Sequence, residues 1–433
     1  MLNMLHEDVT GGARTPQADR QITRRGEGWL NRTVLGVGTA SFFSDVSHET
    51  ATSLLPLLAT ELGSPAAFMG AVEGFSDAAS GAAKIWSGWI TDRLQRRKPL
   101  ALIGYLVSAV AGAALGGAWR LWEAVAARSL AWAGRGIRTP PRNALLSEDV
   151  APAHFGKAFG LERALDTLGA VAGPLAAAAL LVWLPFRSLL WLTIVPGLIA
   201  ALAMALLVRE RPRIPTPSLR FLGALASLPR PYRIFLAAVG LFGLGDFAHS
   251  MLILRSIETL TPSLGSQAAS VAGIGLYGLH NLFGAALALG FGAAADRLGR
   301  LRMLAVAYLL GPAMLGLLLL PAPRGAAAGA LLMAAVFLTA GAMRAGESAL
   351  ESAAAAQLLP EGRRGMGFGV LAAVNSFGDL VSSLSVGLLW QHVGPAAAFG
   401  SALAPMLAGV ALIGWLARNE GGQAPPVPSS LST

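Results

Sequence analysis

The chain has 433 residues, 54% of them hydrophobic and 13% charged, with a mean hydropathy of +0.58. Soluble domains carry about 25% charged residues, so the composition excludes an ordinary soluble domain and points to a chain that crosses a membrane many times. The absence of cysteine excludes disulfides and thiolate metal sites, and the net charge of +9 must be explained by where the Lys and Arg residues lie.

The first 28 residues are polar and charged and lack the apolar core of a signal peptide; they read as a cytosolic tail. Runs of about 20 apolar residues can cross a hydrocarbon core of about 30 Å. In chain order the sequence predicts twelve of them, at 32–60, 66–91, 100–118, 121–146, 158–182, 186–208, 234–260, 267–295, 302–320, 326–357, 366–390 and 395–417. The third, sixth, ninth and twelfth are nearly free of charge, whereas the others carry polar residues. Loops on the side of the N-terminus hold most of the Lys and Arg, in 92–98, 209–220, 296–302 and 361–364, and the opposite loops hold only Arg120, Arg187 and Arg324. That asymmetry is the positive-inside signal. It predicts cytoplasmic termini in a plasma (inner) membrane, and it accounts for the basic balance through the lipid surface, with no nucleic acid as partner.

The stretch 209–233 is rich in Pro and Arg and too polar to cross. The expected organisation is a cytosolic tail (1–31), a six-helix bundle (32–208), a cytosolic linker (209–233), a second six-helix bundle (234–417) and a cytosolic tail (418–433). The two bundles repeat each other in order. "GWITDRLQRRKPL" from Gly88 matches "GAAADRLGRLRML" from Gly292, "SDVSHE" from Ser44 matches "GDFAHS" from Gly245, and "KAFGLERALDTLGA" matches "MGFGVLAAVNSFGD". Asp45 and His48 then fall on Asp246 and His249, Asp166 on Asn375 and Arg135 on Arg344. Two parallel repeats with a site between them is a transporter plan.

These motifs resemble those of the major facilitator superfamily. The family's G-x-x-x-D-R-x-G-R-R loop is present as Gly88, Asp92, Arg93, Arg96 and Arg97, with Gln95 where the family prefers Gly, and its second copy as Gly292, Asp296, Arg297, Gly299 and Arg300. Arg128 with Gly134 and Gly136 is a looser match to the arginine of the family's fourth helix. "GAVAGP", with Gly169, Gly173 and Pro174, resembles the fifth-helix signature of its proton-linked antiporters, although spaced small residues also serve ordinary helix packing. The resemblance implies an all-α polytopic membrane protein of twelve transmembrane helices in two pseudo-symmetric bundles. Segments 1, 4, 7 and 10 would line a central cavity, 2, 5, 8 and 11 would flank it, and 3, 6, 9 and 12 would face lipid. It also implies that the two loop motifs gate the cytoplasmic side, against the alternative that they only fix topology.

A charge at the bilayer centre costs at least about 2.5 kcal/mol, so such residues face a water-filled cavity or pair with one another. At 100° per residue Asp45 and Glu49 share a helix face with His48 on its flank. Glu73, Asp77 and Lys84 share one stripe of the second segment with Gly70, Gly74 and Gly81. The fourth segment carries Arg128, Arg135, Arg138 and Arg142, and Pro140-Pro141 is expected to disturb it; the tenth repeats the spacing as Arg344, Glu347 and Glu351. Asp45, His48, Glu49, Asp246 and His249 are the candidates for proton coupling, since two acids within a turn repel when both are ionised; a structural role for the histidines stands beside that reading. Glu73, Asp77, Arg128, Arg135, Arg138, Arg344, Glu347 and Asp379 are the candidates for the substrate cavity. Glu162, Arg163 and Asp166 read as partners of Arg138 or Arg142, and Lys84 as a partner of Glu73 or Asp77.

The leading expectation is a secondary transporter that exports a small organic solute against protons by alternating access. The alternative is uptake or exchange of organic or phosphorylated anions, because arginine suits carboxylate and phosphate. A lipid flippase is a third transport reading. No H-E-x-x-H, nucleophile elbow or Walker A motif is present, so neither enzyme activity nor a cofactor or metal is expected. Nothing in the sequence demands a second subunit, and a monomer is expected.

Overall fold

The computed structural model describes residues 30–63, 65–91, 94–150, 155–210, 228–321, 323, 325–359 and 364–420. Among them are fourteen α-helices and no strand. They are α1 (Arg32–Glu61), α2 (Pro65–Thr91), α3 (Lys98–Ala114), α4 (Leu121–Glu148), α5 (Phe155–Leu180), α6 (Phe186–Leu192) and α7 (Ile194–Leu207). After the linker come α8 (Arg230–Gly243), α9 (Ser250–Leu264), α10 (Ser266–Leu298), α11 (Arg300–Leu318), α12 (Ala326–Leu358), α13 (Arg364–His392) and α14 (Pro395–Glu420). The pairs α6–α7 and α8–α9 each occupy one expected segment. Seven segments are long and apolar enough to cross a membrane on composition alone. Of the other five, α1, α2, α4 and α5 fall short because polar and charged residues interrupt them, and α8–α9 because it is split into helices of 14 and 15 residues.

In the first half α1 packs on α5 and α7, α2 on α4, and α3 on α4 and α7; in the second, α8 packs on α14 and α13, α10 on α12, and α11 on α12 and α14. Two long seams join the halves, α2 on α13 and α5 on α10, with α9 reaching α1 and α2. The seams are uneven along their length. At the end away from the linker α2 and α13 are in near backbone contact: a Cβ on Gly387 would lie 2.6 Å from Ala66 O and 2.8 Å from Gly70 Cα. Toward the linker end Gly88, Gly160, Gly292 and Gly369 have open space around them. The apolar cores tell the same story. Leu54, Leu58 and Phe68 share one core with Met251 and Ile253 of the second half. Val34, Tyr105, Leu146 and Met204, at the linker end, form a core confined to the first half. The halves are closed at the far end and parted at the linker end.

Two local features depart from the sequence expectation. The seventh segment, expected as one helix over 234–260, breaks between Gly243 and Ser250. Gly240, Gly243 and Gly245 weaken the helix there, and α13 supplies a replacement for the lost ladder. Ser382 Oγ donates to Asp246 O at 2.8 Å, and the Ala248 N–H donates to Ser383 Oγ at 3.0 Å. Conversely, Pro140-Pro141 does not disturb α4, which runs unbroken to Glu148. Pro141 lacks the N–H that would bond Ile137 O, and Ser87 Oγ donates to that carbonyl at 2.5 Å instead. In a membrane such substitution of one donor for another is what makes an interior proline tolerable.

One buried ion pair ties four helices together. Arg128 of α4 is 1% exposed and Glu73 of α2 is 3% exposed. Their side chains meet at 3.3 Å, Arg128 Nη2 also donates to Thr52 Oγ1 of α1 at 2.8 Å, and Ser250 Oγ of α9 donates to Glu73 Oε1 at 2.8 Å.

Two predictions follow from this packing. Gly70→Leu overpacks the α2–α13 seam and is expected to lower stability by about 1–3 kcal/mol, while Gly88→Leu on the same helix changes little; thermal unfolding of the purified protein compares them. Glu73→Gln leaves Arg128 buried without its counter-charge and is expected to cost about 3–5 kcal/mol. Adding Arg128→Met to that variant should recover most of the loss in the same measurement.

Candidate functional site

Between the two halves lies a cavity of about 740 Å³. Its walls come from α1, α2, α4, α5, the α8–α9 break, α10, α12 and α13; α3, α6, α7, α11 and α14 contribute nothing. The lining reaches Gly160 on α5, Ala288 on α10 and Ser348 on α12, all toward the linker ends of their helices, so the cavity opens on that side. Of the residues singled out in the sequence it gathers Asp45, His48, Glu49, Glu73, Asp77, Arg128, Arg135, Asp246, His249, Arg344 and Asp379. Arg138 and Glu347 lie behind the wall, 2% and 7% exposed.

The repeat seen in the sequence is also a repeat of contacts. Arg135 grips Asp45 with two nitrogens, at 2.7 and 3.2 Å. Its counterpart Arg344 lies 3.9 Å from Asp246 and 2.9 Å from Glu347. Arg138 reaches Ser44 and approaches Asp45 at 3.8 Å, with its guanidinium 4.4 Å from the centre of the Tyr105 ring. Arg142 pairs with Glu162 at 2.9 Å, and Ser41 bonds both. At the matching place in the second half Glu351 accepts from Tyr308 and from Asn375 Nδ2, the latter at 2.7 Å. Arg163 pairs with Asp166 at 3.3 Å. Of the two partners expected for Lys84, Asp77 lies within its electrostatic reach, as does Asp379, whereas Glu73 pairs with Arg128.

What remains is a set of acids to which, among the described residues, no cation donates a hydrogen bond. Glu49 receives one hydrogen bond, from Tyr277 Oη at 3.0 Å. Asp77 and Asp379 face the cavity with no hydrogen bond or ion pair among the described residues. Asp246 Oδ1 and His249 Nε2 are buried without hydrogen-bond partners, 3.6 Å from each other. Tyr277 is the residue sequence reasoning missed. It stacks on His280 with ring centres 5.5 Å apart, and it lies at the position that the repeat pairs with Glu73. Trp132, also missed, stands edge-on to His48 at 4.7 Å.

The helix-five motif serves both packing and contact between halves. Gly173 packs against α1, where a Cβ would meet Val46 O at 2.8 Å, and Gly169 packs as closely against Phe42. Pro174 leaves Ala170 O without its helical N–H, and Asn281 Nδ2 of α10 donates to that carbonyl at 2.8 Å. Among the described residues three hydrogen bonds thus cross between the halves near the closed end: Tyr277 to Glu49, Ser250 to Glu73 and Asn281 to Ala170.

Of the gating motif, Asp92 and Arg93 lie outside the described residues, as does the side chain of Asp296. Arg97 bonds Glu148 of its own half at 2.6 Å; Arg96 and Arg297 are exposed, and Arg300 donates to Ala353 O at 3.4 Å. Among the described residues no group of His, Asp and Glu could hold a metal ion.

The profile of the Major Facilitator Superfamily matches residues 37–345. An uncharacterised MFS-type transporter of Methanocaldococcus jannaschii is 30% identical over 389 residues, covering 89% of this chain and 95% of the relative. An uncharacterised protein of Mycobacterium tuberculosis is 32% identical over 191 residues, 44% of this chain and 46% of its own length. The fold is similar to that of the nucleoside transporter NupG, with a TM-score of 0.73 at 14% identity over 89% of this chain and 99% of that one. It is also similar to that of a peptide transporter of the POT type, with a TM-score of 0.70 at 14% identity over 92% and 98%. With the family profile spanning most of the sequence and the fold to match, this chain is an integral membrane protein that belongs to the major facilitator superfamily of secondary transporters.

Proposed function

We propose that this transporter exports a small organic solute in exchange for protons, with its two bundles, 32–208 and 234–417, rocking about the cavity and both termini in the cytoplasm of a plasma (inner) membrane. The observation that carries the reading is Glu49. It is a cavity-facing carboxyl with no ion pair among the described residues, and its hydrogen bond comes from Tyr277 on the opposite half. In the state open to the linker side, water in the cavity can solvate its charge. Rocking to the other side must pass through a state that excludes water. An uncompensated charge at the bilayer centre then costs at least about 2.5 kcal/mol, so either a proton or a cationic solute has to accompany the crossing. A site that must be neutralised by one or the other on each passage exchanges them.

Export as the direction rests on the resemblance of Gly169, Gly173 and Pro174 to the antiporter signature. The anion reading has less support, because each arginine that reaches the cavity already has an acid. Arg128 has Glu73, Arg135 has Asp45, Arg163 has Asp166 and Arg344 has Glu347.

The test uses proteoliposomes of known orientation. A pH gradient is expected to drive accumulation, and Glu49→Gln to reduce the driven component at least about tenfold, as in loss of a coupling group worth 1.4 kcal/mol or more, while solute counterflow persists. Tyr277→Phe should slow turnover yet keep the gradient dependence. Transport indifferent to the gradient and unchanged in Glu49→Gln would overturn the proposal.

A further inference from the structure

One wall of the cavity is made almost entirely of hydrogen-bond acceptors. Asp246 and His249 stand on the α8–α9 break, Asp379 comes from α13, and Asp77 approaches from α2 across the seam. Asp379 is within electrostatic reach of both Asp77 and Asp246, so the carboxylates converge on one space. His280 adds to them: its Nδ1 lies 3.1 Å from Phe337 O, a contact that requires the ring proton on Nδ1 and leaves Nε2 of the neutral ring a bare acceptor. The cations near this wall are Arg344, whose Nη1 is engaged by Glu347 at 2.9 Å and lies 3.9 Å from Asp246 Oδ2, and Lys84, within electrostatic reach of Asp77 and Asp379; together they are outnumbered by Asp77, Asp246, Glu347 and Asp379.

Two atoms on this wall are unsatisfied. Asp246 is 5% exposed, and neither its Oδ1 nor the Nε2 of His249 has a hydrogen-bond partner. They face each other across 3.6 Å, too far to bond directly. A buried polar atom left without a partner is destabilising, and here the helix is broken to place two of them side by side: Asp246 Oδ1 is an acceptor, and His249 Nε2 is one when the ring proton sits on Nδ1. A ligand that satisfies them must bring N–H or O–H donors, and the surrounding carboxylates require it to bring positive charge.

We propose that this wall recognises the protonated primary or secondary amine of an organic cation, with the ammonium held among Asp246, His249 and Asp379. The proposal deepens the reading of the cavity as a substrate site by naming the substrate class. A carboxylate or phosphate would meet acceptors and like charge. A quaternary ammonium would bring charge but no N–H, leaving Asp246 Oδ1 and His249 Nε2 unpaired. Tyr277 and Phe247, on the same lining, offer apolar surface to the carbon skeleton.

The experiment is a thermal-shift titration of the purified full-length protein at one pH and without a gradient. Its probes are 1,4-diaminobutane, cyclohexylamine, tetraethylammonium and glutarate. Both amines are expected to raise the melting temperature in a saturable way, and tetraethylammonium and glutarate to leave it unchanged. Asp379→Asn and Asp246→Asn should each weaken the amine response about tenfold or more, the size expected for a charged hydrogen bond. Where Asp246→Asn does not fold, His249→Phe carries the same expectation. Stabilisation by glutarate, an equal response to tetraethylammonium, no response to either amine, or an amine response unchanged in these variants would overturn the proposal. Because the titration has no proton gradient, amine binding by a protein whose transport ignores pH would remove the coupling reading alone. Gradient-driven transport without amine binding would remove this one alone.

Discussion

Every ionised side chain in the middle of this molecule has to find an opposite charge, a hydrogen bond or the water of the cavity, because hydrocarbon supplies none of them. That constraint orders the rest of the structure. It explains why the charged helices gather around one space while α3, α6, α7, α11 and α14 stay outside it. It also explains why the deepest arginines are held by several helices at once. Arg128 draws α1, α2 and α4 together, and Arg142 does the same for α1, α4 and α5 through Ser41 and Glu162. Apolar packing fills the volume, but it is non-directional and tolerates many arrangements. The ion pairs fix which face of each helix turns inward.

The same rule extends to the backbone, and there it links the two halves. A proline inside a helix frees a carbonyl four residues earlier. In α4 the carbonyl freed by Pro141 is answered by Ser87 of the same half, which makes a permanent joint. In α5 the carbonyl freed by Pro174 is answered by Asn281 of the other half, which makes a joint that must break when the halves part at that end. Glu73 and Glu49 likewise accept from Ser250 and Tyr277 across the divide. Among the described residues the closed end is therefore held by apolar contact plus three polar bonds, two of which end on carboxylates that line the cavity.

Much of this was legible in the sequence. Helix boundaries followed from apolar runs, the halves from motifs recurring in order, and the cavity-facing residues from the rule that charge inside a membrane faces water or a partner. The repeat made Asp45 equivalent to Asp246 and Arg135 to Arg344; that each acid meets the arginine of its own half appears only in the structure. The features that escaped depend on contacts between helices far apart in the chain. No proline marks the break after Gly243; it exists because Ser382 and Ser383 of α13 stand ready to bond the exposed backbone. The continuity of α4 through two prolines depends equally on Ser87. Tyr277 gave no signal because a tyrosine in an apolar helix reads as core, and its role appears only when α10 lies against α1.

The repeat preserves the frame but not the charge, and the difference assigns the two halves different work. In the first half the interior sets five arginines, 128, 135, 138, 142 and 163, against six acids, 45, 49, 73, 77, 162 and 166. In the second, Arg344 faces Asp246, Glu347, Glu351 and Asp379. The exchange occurs on equivalent positions, where Arg138 and Arg142 give way to Glu347 and Glu351. Tyr105 lies beneath Arg138 in the first half, and in the second Tyr308 donates to Glu351. The first half is close to electrically complete within itself. The second is not, and neutral donors such as Tyr308 and Asn375 can soften its acids without cancelling them. On the proposal that the substrate is an amine, the missing positive charge belongs to something that enters and leaves. It belongs beside the second half, at the broken helix, where a rocking motion about the cavity would carry it from one side of the membrane to the other.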